Sequence, residues 1–220
     1  PEQNVIILTS FNPGSGKSHL ASNIAMSLAI KKKRVLLIDG DLRHGSTSML
    51  VGSPGEGLSD YLNGRTDDLE GIICHGEDHG LVEGFDVLPI GTMPPNPTEL
   101  LFTDRLGEMI KQVRGEYDYV FIDCPPVEIV ADTQIIEKLA DRTIFVVRSG
   151  LMQRSMLGDI EQIYKDKKFK NMSLILNGTK AQGGRYGHYY RYGYHYGYGY
   201  GYHYGSDKNG GGKIEKWNIG

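Results

Sequence analysis

The 220-residue sequence predicts an α/β fold, in which a mostly parallel central sheet carries helices on both faces. Short apolar runs rich in β-branched residues recur along the chain, and segments of helical composition separate most of them. The C-terminal part differs from this pattern, because ten of the fourteen tyrosines lie between residues 183 and 205. We therefore expect a globular domain over residues 1–180, followed by a flexible tail over residues 181–220.

Six apolar runs are expected to form the sheet, at residues 5–9, 35–38, 85–90, 119–123, 142–148 and 172–177. Helices are predicted over residues 19–30, 98–114, 131–139 and 154–167, with a shorter helical piece over 58–62. The helix over 98–114 opens at Thr98-Glu99, after a turn-rich stretch, and has a periodic apolar face. Because strands and helices alternate, the strands are expected to run parallel, with helices crossing over the sheet.

A glycine-rich loop joins the first strand to the first helix. It reads Pro13-Gly14-Ser15-Gly16-Lys17-Ser18, which is the P-loop arrangement. Its backbone N–H groups can cradle phosphates, Lys17 can reach the β- and γ-phosphates, and the Ser18 hydroxyl can ligate Mg²⁺. The strict pattern has glycine where this chain has Phe11, and a ligand-free turn is the alternative. A turn alone does not require Lys-Ser, so we expect a nucleotide site formed by Pro13, Gly14, Ser15, Gly16, Lys17, Ser18, His19 and Asn177.

Acidic residues follow two of the predicted strands. Asp39 and Asp41 end the second strand and Asp123 ends the fourth, where parallel sheets place their ligand chemistry. The last of these resembles the acid that closes a Walker B strand near the Mg²⁺ shell. The simpler alternative for Asp39 and Asp41 is a polar exit from a strand. Asn177 ends the last strand, where it could contact an adenine or serve only in a turn.

Other reactive side chains carry weaker signals. Cys124 follows Asp123, but no base is evident beside it, and we interpret it as a packing residue rather than a nucleophile. His44, His75 and His79 lack metal-site spacing relative to the cysteines and are interpreted as surface residues.

Composition limits the possible settings of the protein. A formal net charge of −3 argues neither for nor against nucleic acid, and no nucleic-acid partner is expected. Two cysteines suit a reducing cytosol, and no apolar run approaches the length of a membrane span. The chain starts directly before its first strand without a methionine, so we interpret it as a fragment, itself soluble, of a longer protein.

Within the tail, tyrosine falls at every second position from Tyr190 to Tyr204, separated by Gly, His and one Arg. Apart from tyrosine, the segment 183–205 contains no apolar residue that could build a core, so we expect disorder. From residue 183 onward the tail has five Lys or Arg and two Asp or Glu, a charge of +3. Residues 1–182 therefore carry −6.

Taken together, these residues resemble one family, the bacterial tyrosine kinases that form the cytoplasmic part of polysaccharide co-polymerases. The P-loop lacks the lysine that the division-site and plasmid-partition ATPases carry at the place of Asn12. The run 37–43 is similar to the family's Walker A′ motif, with Gly40 where alanine is expected. The stretch 88–101 and the tyrosine cluster complete the resemblance, which covers residues 4 to about 204.

The resemblance implies an autophosphorylating kinase that uses ATP and Mg²⁺. Lys17 would hold ATP, while Ser18, Asp41 and Asp123 would hold the metal. Asp39 would accept or orient the tyrosine proton, although the sequence alone cannot divide the roles of Asp39 and Asp41. The implied acceptors, in a neighbouring subunit, are Tyr186, Tyr189, Tyr190, Tyr192, Tyr194, Tyr196, Tyr198, Tyr200, Tyr202 and Tyr204.

The family setting is the cytoplasmic side of the bacterial inner membrane, in capsule or exopolysaccharide biosynthesis and export. Implied partners are other copies in a ring, a transmembrane activator segment or adaptor, and a tyrosine phosphatase. An arginine-bearing helix that helps family members assemble would precede Pro1, so this fragment could be monomeric. Two alternatives stay open: a partition-type regulatory ATPase, and a nucleotide-gated scaffold with a sticky Tyr/Gly tail.

Overall fold

The six apolar runs form one parallel sheet. The structure, a computed structural model, describes residues 3–127 and 132–179. The strands are β1 (Val5–Ser10), β2 (Val35–Asp39), β3 (Phe85–Leu88), β4 (Tyr119–Asp123), β5 (Arg142–Arg148) and β6 (Met172–Asn177). They lie in the order β3-β2-β4-β1-β5-β6, and all five strand pairs are parallel. The predicted fold class is thereby confirmed.

Helices cover both faces of this sheet. They are α1 (Lys17–Ile30), α2 (Leu58–Leu62), α3 (Leu69–Ile72), α4 (Pro97–Leu101), α5 (Asp104–Glu116), α6 (Asp132–Glu137) and α7 (Leu157–Lys165). Successive residues of a strand point to opposite faces, so β1 contributes Ile7 to one hydrophobic cluster and Leu8 to the other. Three alanines on α1, at positions 21, 25 and 29, pack in the cluster that contains Leu8, and their small side chains let α1 lie close to the sheet. In the described part, no helix is long and apolar enough to cross a membrane.

The helix predicted over 98–114 is in fact two helices, which is a correction. The helix α4 ends at Leu101, and α5 begins at Asp104 after Thr103, whose backbone is extended. In one continuous helix Phe102 would share the buried face of Leu106, four residues further on. Instead Leu101 is buried and Phe102 is 66% exposed, so the break rotates α4 relative to α5.

Other boundaries differ by smaller amounts. The strand β3 stops at Leu88 rather than at residue 90, because Pro89 has no N–H to donate to a neighbouring strand. The carbonyls of Pro89 and Ile90 instead accept hydrogen bonds from the first turn of α2. The helix α1 starts two residues earlier than predicted, at Lys17, and a short 3-10 turn, Arg154–Met156, precedes α7. The short helix α3 was not predicted.

Candidate active site at the carboxyl edge of the sheet

The glycine loop lies between β1 and α1, as the sequence predicts. Gly14 and Gly16 have φ angles of 71° and 91°, in the left-handed region that favours glycine. The Lys17 side chain, in the first turn of α1, is buried apart from 8% of its surface. Phe11, which replaces a glycine of the strict pattern, packs against the larger hydrophobic cluster. The loop therefore has the local conformation of an anion-binding strand-to-helix turn.

Two predicted carboxylates lie side by side at this edge of the sheet. Asp39 ends β2, Asp123 ends β4, and the two residues are register partners. Asp123 is also the register partner of Leu8 in β1, the strand that leads into the glycine loop. Both side chains are almost fully buried. Asp41, two residues beyond β2, is 9% exposed and completes the acidic group.

The Asp39 carboxylate is held at one oxygen by a single residue. The backbone N–H and the side-chain hydroxyl of Ser48 both donate to Oδ2 of Asp39, at 2.7 and 2.8 Å. Burial raises the pKa of Asp39 to about 7, and the nearby Asp123 adds to this rise, which the Ser48 hydrogen bonds partly offset. A carboxyl group with this pKa can take up a proton near neutral pH.

Asp123 has a different set of neighbours. The Thr47 hydroxyl donates to Oδ2 of Asp123 at 2.9 Å. Burial raises the pKa of Asp123, against the opposing effects of the Ser18 hydroxyl and the Lys17 charge. Interaction with these two groups brings the Walker B-like acid into the same site as the glycine loop. Thr47 and Ser48, which sequence analysis missed, lie where the loop after β2 enters a short 3-10 turn, Ser48–Val51, and the local sequence carries no signal for these contacts.

This group of side chains fits a bound Mg²⁺ ion. Within residues 3–127 and 132–179, Oδ1 of Asp39 and Oδ1 of Asp123 are buried and have no hydrogen-bond partner. Buried carboxylate oxygens without a donor are suitable ligands for a hard cation. Across the same residues, no three His, Cys, Asp or Glu side chains form a complete metal cage. Mg²⁺ commonly needs only one or two carboxylates, since phosphate oxygens and water complete its shell.

The segment after Asp41 is anchored by contacts that sequence analysis did not foresee. His44 Nδ1 lies 3.2 Å from both carboxylate oxygens of Asp41. The Arg43 guanidinium lies 3.3 Å from the buried Asp132 carboxylate and donates to Thr98 at 2.9 Å. These contacts attach the acidic segment to α4 and α6. The His44 side chain is 62% exposed, as expected for a surface residue, but it also neighbours a candidate metal ligand.

Gly40 directly follows β2 and lies against the end of β4. Its backbone N–H donates to the carbonyl of Asp123 at 2.9 Å. A methyl group added at Gly40 would lie 2.8 Å from Cγ2 of Ile122 and 3.0 Å from that carbonyl. Glycine at position 40 therefore has a packing role beside the two acids.

The remaining predicted site residues vary in how far they approach this group. Asn177 lies beside the glycine loop, where its side-chain N–H donates to the carbonyl of Ser15 at 3.0 Å, and His19 is exposed on α1. Cys124 is fully buried in the larger cluster, and burial raises the pKa of its thiol well above the usual value. This agrees with its interpretation as a packing residue. The ten candidate acceptor tyrosines lie outside the described residues.

Comparison with known proteins identifies the family. Residues 3–177 match the model of a family described as AAA domain. The tyrosine-protein kinase CpsD of Streptococcus agalactiae is 34% identical over 190 residues, which cover 86% of this chain and 81% of CpsD. The chain belongs to the bacterial tyrosine-protein kinases. A second member, the tyrosine-protein kinase wzc of Salmonella typhimurium, is 35% identical over 192 residues, and here the match spans 86% of this chain but 26% of wzc.

Solved structures place this tyrosine-protein kinase chain beside other members of the family. The kinase domain of the Escherichia coli tyrosine kinase ETK superposes with a TM-score of 0.75 at 32% identity, covering 90% of this chain and 74% of that one. The septum site-determining protein MinD of Pyrococcus horikoshii OT3, complexed with Mg-ADP, superposes at 0.64 with 25% identity, covering 79% and 70%. The kinase chain thus shares its fold with a protein that is not named as a tyrosine kinase and whose structure contains Mg-ADP.

Proposed function

We propose that this chain is an ATP-dependent protein-tyrosine kinase domain that phosphorylates its own C-terminal tyrosines. The observation that carries this proposal is the pairing of Asp39 with Asp123 at the end of the sheet, next to Lys17 and Ser18. This arrangement supplies a group for proton transfer and groups for phosphate and metal in one place. Phosphoryl transfer requires mainly such positioning and charge neutralisation.

In the proposed reaction, Lys17 and the backbone N–H groups of the glycine loop hold the triphosphate of ATP. Asp39 accepts the proton of a tyrosine hydroxyl, whose ordinary pKa is near 10. The phenolic oxygen bonds to the γ-phosphorus, while the bond from that phosphorus to the β,γ-bridging oxygen breaks and ADP leaves. The pKa of Asp39, about 7, supports its role as the proton acceptor.

Mg²⁺ would be held by Ser18, with Asp123 and Asp41 contributing directly or through water. When bound, it neutralises charge on the phosphates. The orphaned oxygen of Asp123 and the Lys17 charge beside it support this assignment.

The proposed acceptors are the tail tyrosines between residues 186 and 204 of a neighbouring subunit. The charges of the two parts, +3 for the tail and −6 for residues 1–182, favour their encounter. We place the whole protein at the cytoplasmic side of the bacterial inner membrane, as a ring that regulates capsule or exopolysaccharide export. Its proposed partners are a transmembrane activator segment or adaptor and a tyrosine phosphatase.

Intact mass and peptide mapping after incubation with Mg-ATP test the kinase proposal, with Lys17→Met as the matched control. We expect phosphate confined to residues 186–204 and absent from the Lys17→Met chain. ATP hydrolysis with an unmodified tail would overturn the proposal in favour of a partition-type ATPase.

A mixture of two chains tests transfer between subunits. The Lys17→Met chain provides an intact tail, and an active chain without residues 181–220 provides the only working site. Phosphate on the tail of the Lys17→Met chain is expected. Its absence would contradict transfer between subunits, while leaving autophosphorylation within one chain in place.

A further inference from the structure

Two side chains from neighbouring strand ends bind consecutive carbonyls of the glycine loop. Arg148 ends β5 and Asn177 ends β6, and the two residues are register partners. The Arg148 Nη1 group donates to the carbonyl of Gly14 at 2.8 Å, and the Asn177 Nδ2 group donates to the carbonyl of Ser15 at 3.0 Å. The loop is thus attached to the ends of β5 and β6 as well as to β1 and α1.

Holding these carbonyls also sets the direction of two N–H groups. A peptide unit is planar and trans, so its C=O and N–H bonds point in opposite directions. The carbonyl of Gly14 shares a peptide with the N–H of Ser15, and the carbonyl of Ser15 shares one with the N–H of Gly16. Among the described residues, neither N–H donates a backbone hydrogen bond. Both therefore stay available for a ligand.

The Asn177 side chain is occupied at both ends by protein groups. Its Oδ1 accepts from the backbone N–H of Gly178 at 2.8 Å, while its Nδ2 binds the loop. A methyl group added at Gly16 would collide with Nδ2 of Asn177, which shows how closely this amide packs on the loop. The contacts of Asn177 are thus with the phosphate-binding loop, rather than those expected of a residue reserved for adenine.

Arg148 adds a permanent positive charge at the same place. Its side chain is exposed, and among the described residues only one hydrogen bond of its guanidinium is found, to Gly14. A guanidinium stays protonated throughout the physiological pH range and has five N–H donors. Arg148 can therefore hold the loop with one donor while its charge acts on a nearby anion.

We propose that Arg148 and Asn177 form a clamp that presets the Ser15 and Gly16 N–H groups for phosphate, with Arg148 also supplying charge to the bound nucleotide. Both are positioning residues of the site. The inference rests on the proposed function in that it requires a nucleotide at the glycine loop. It adds Arg148 to the predicted nucleotide site and gives Asn177 a positioning role at the loop, so that both residues determine nucleotide affinity.

Calorimetric titration with Mg-ADP tests the clamp without requiring phosphoryl transfer. Arg148→Ala removes a hydrogen bond from a charged donor, so we expect affinity to fall about tenfold. Arg142→Ala is the matched control, because Arg142 is an exposed arginine at the other end of β5, and its guanidinium donates one hydrogen bond, to Gln3. Equal affinity of the Arg148→Ala chain and the unmodified chain would overturn the clamp but leave the proposed function standing.

A second readout separates the clamp from a general loss of structure. In the nucleotide-free chain, NMR order parameters of the Ser15 and Gly16 N–H bonds should fall in both Arg148→Ala and Asn177→Ala, and remain unchanged in Arg142→Ala. Unaltered order parameters at these two N–H bonds would overturn the presetting role. If the unmodified chain fails to bind Mg-ADP, the proposed function is overturned, and the clamp with it.

Discussion

Replacing Asp39 by asparagine should stabilise the nucleotide-free domain at alkaline pH while abolishing transfer to tyrosine. The pKa of Asp39 is raised from 3.8 to about 7, so between these values the folded chain binds a proton that the unfolded chain has released. Stability therefore falls as pH rises through this range, by about 1.4 kcal/mol per pH unit, or about 4 kcal/mol in all. Asparagine carries no charge and retains an oxygen that can accept the two Ser48 hydrogen bonds.

Urea unfolding followed by circular dichroism measures this effect, in the absence of Mg²⁺ and nucleotide. From pH 5 to pH 8.5, the free energy of unfolding of Asp39→Asn should rise by about 2.7 kcal/mol relative to that of the unmodified chain. The reason is that about two pH units of the interval between 3.8 and the folded-state pKa of about 7 lie in this window. Asp118→Asn is the control. A backbone hydrogen bond from Arg34 lowers the pKa of Asp118. The effect of Asp118→Asn on the free energy of unfolding should therefore change with pH only below pH 5.

The result that would refute this reasoning is a difference in unfolding free energy between Asp39→Asn and the unmodified chain that is the same at both pH values. Ionisation of Asp39 would then leave the free energy of unfolding unchanged, and burial would not control the proton affinity of Asp39. In the active enzyme, the same proton affinity predicts that the transfer rate rises with pH up to about 7 and then levels off, because only the ionised carboxylate accepts the tyrosine proton.

Three further predictions concern the loop, the buried thiol and the tail. Gly16→Ala should greatly weaken Mg-ADP binding, because alanine is strained at a φ of 91° and its methyl group would collide with Asn177; unchanged affinity in a titration would contradict this. Cys124→Ala should retain tail phosphorylation in the mass assay, since the thiol is fully buried and its pKa is raised; complete loss of transfer in a folded variant would contradict the packing interpretation. Three phosphates would change the tail charge from +3 to about −1.5 to −3. Glutamates at Tyr196, Tyr198, Tyr200, Tyr202 and Tyr204 would bring it to about −2, so this variant should loosen assembly of the full-length protein in sedimentation experiments. Association as tight as that of the unmodified protein would refute the charge argument.

The sequence predicts the strands well because each buried strand is a continuous apolar run. The bounds of β5 and β6 match the prediction residue for residue, and the strand ends place Asp39 beside Asp123 as expected. The break between α4 and α5 was missed, because composition alone does not reveal that Phe102 faces solvent.

The supporting residues Ser48 and Arg148 could not be predicted, because their contacts depend on the tertiary fold rather than on the local sequence. Ser48 binds Asp39 across an irregular segment, and Arg148 meets Gly14 across 134 residues. Nothing in the local composition around Ser48 or Arg148 distinguishes them from surface residues. Parallel sheet order, rather than local propensity, brings such residues together.

The close approach at Gly40 has a consequence for how related sequences can diverge. An alanine at position 40 would press on Cγ2 of Ile122 and on the Asp123 carbonyl, so it requires a different side chain at position 122 or a small separation of the two strand ends. Substitutions at positions 40 and 122 should therefore occur together along a lineage. Family members that combine the expected alanine at 40 with isoleucine at 122 would have the two acids slightly further apart, and with them the proposed proton acceptor and the proposed metal site.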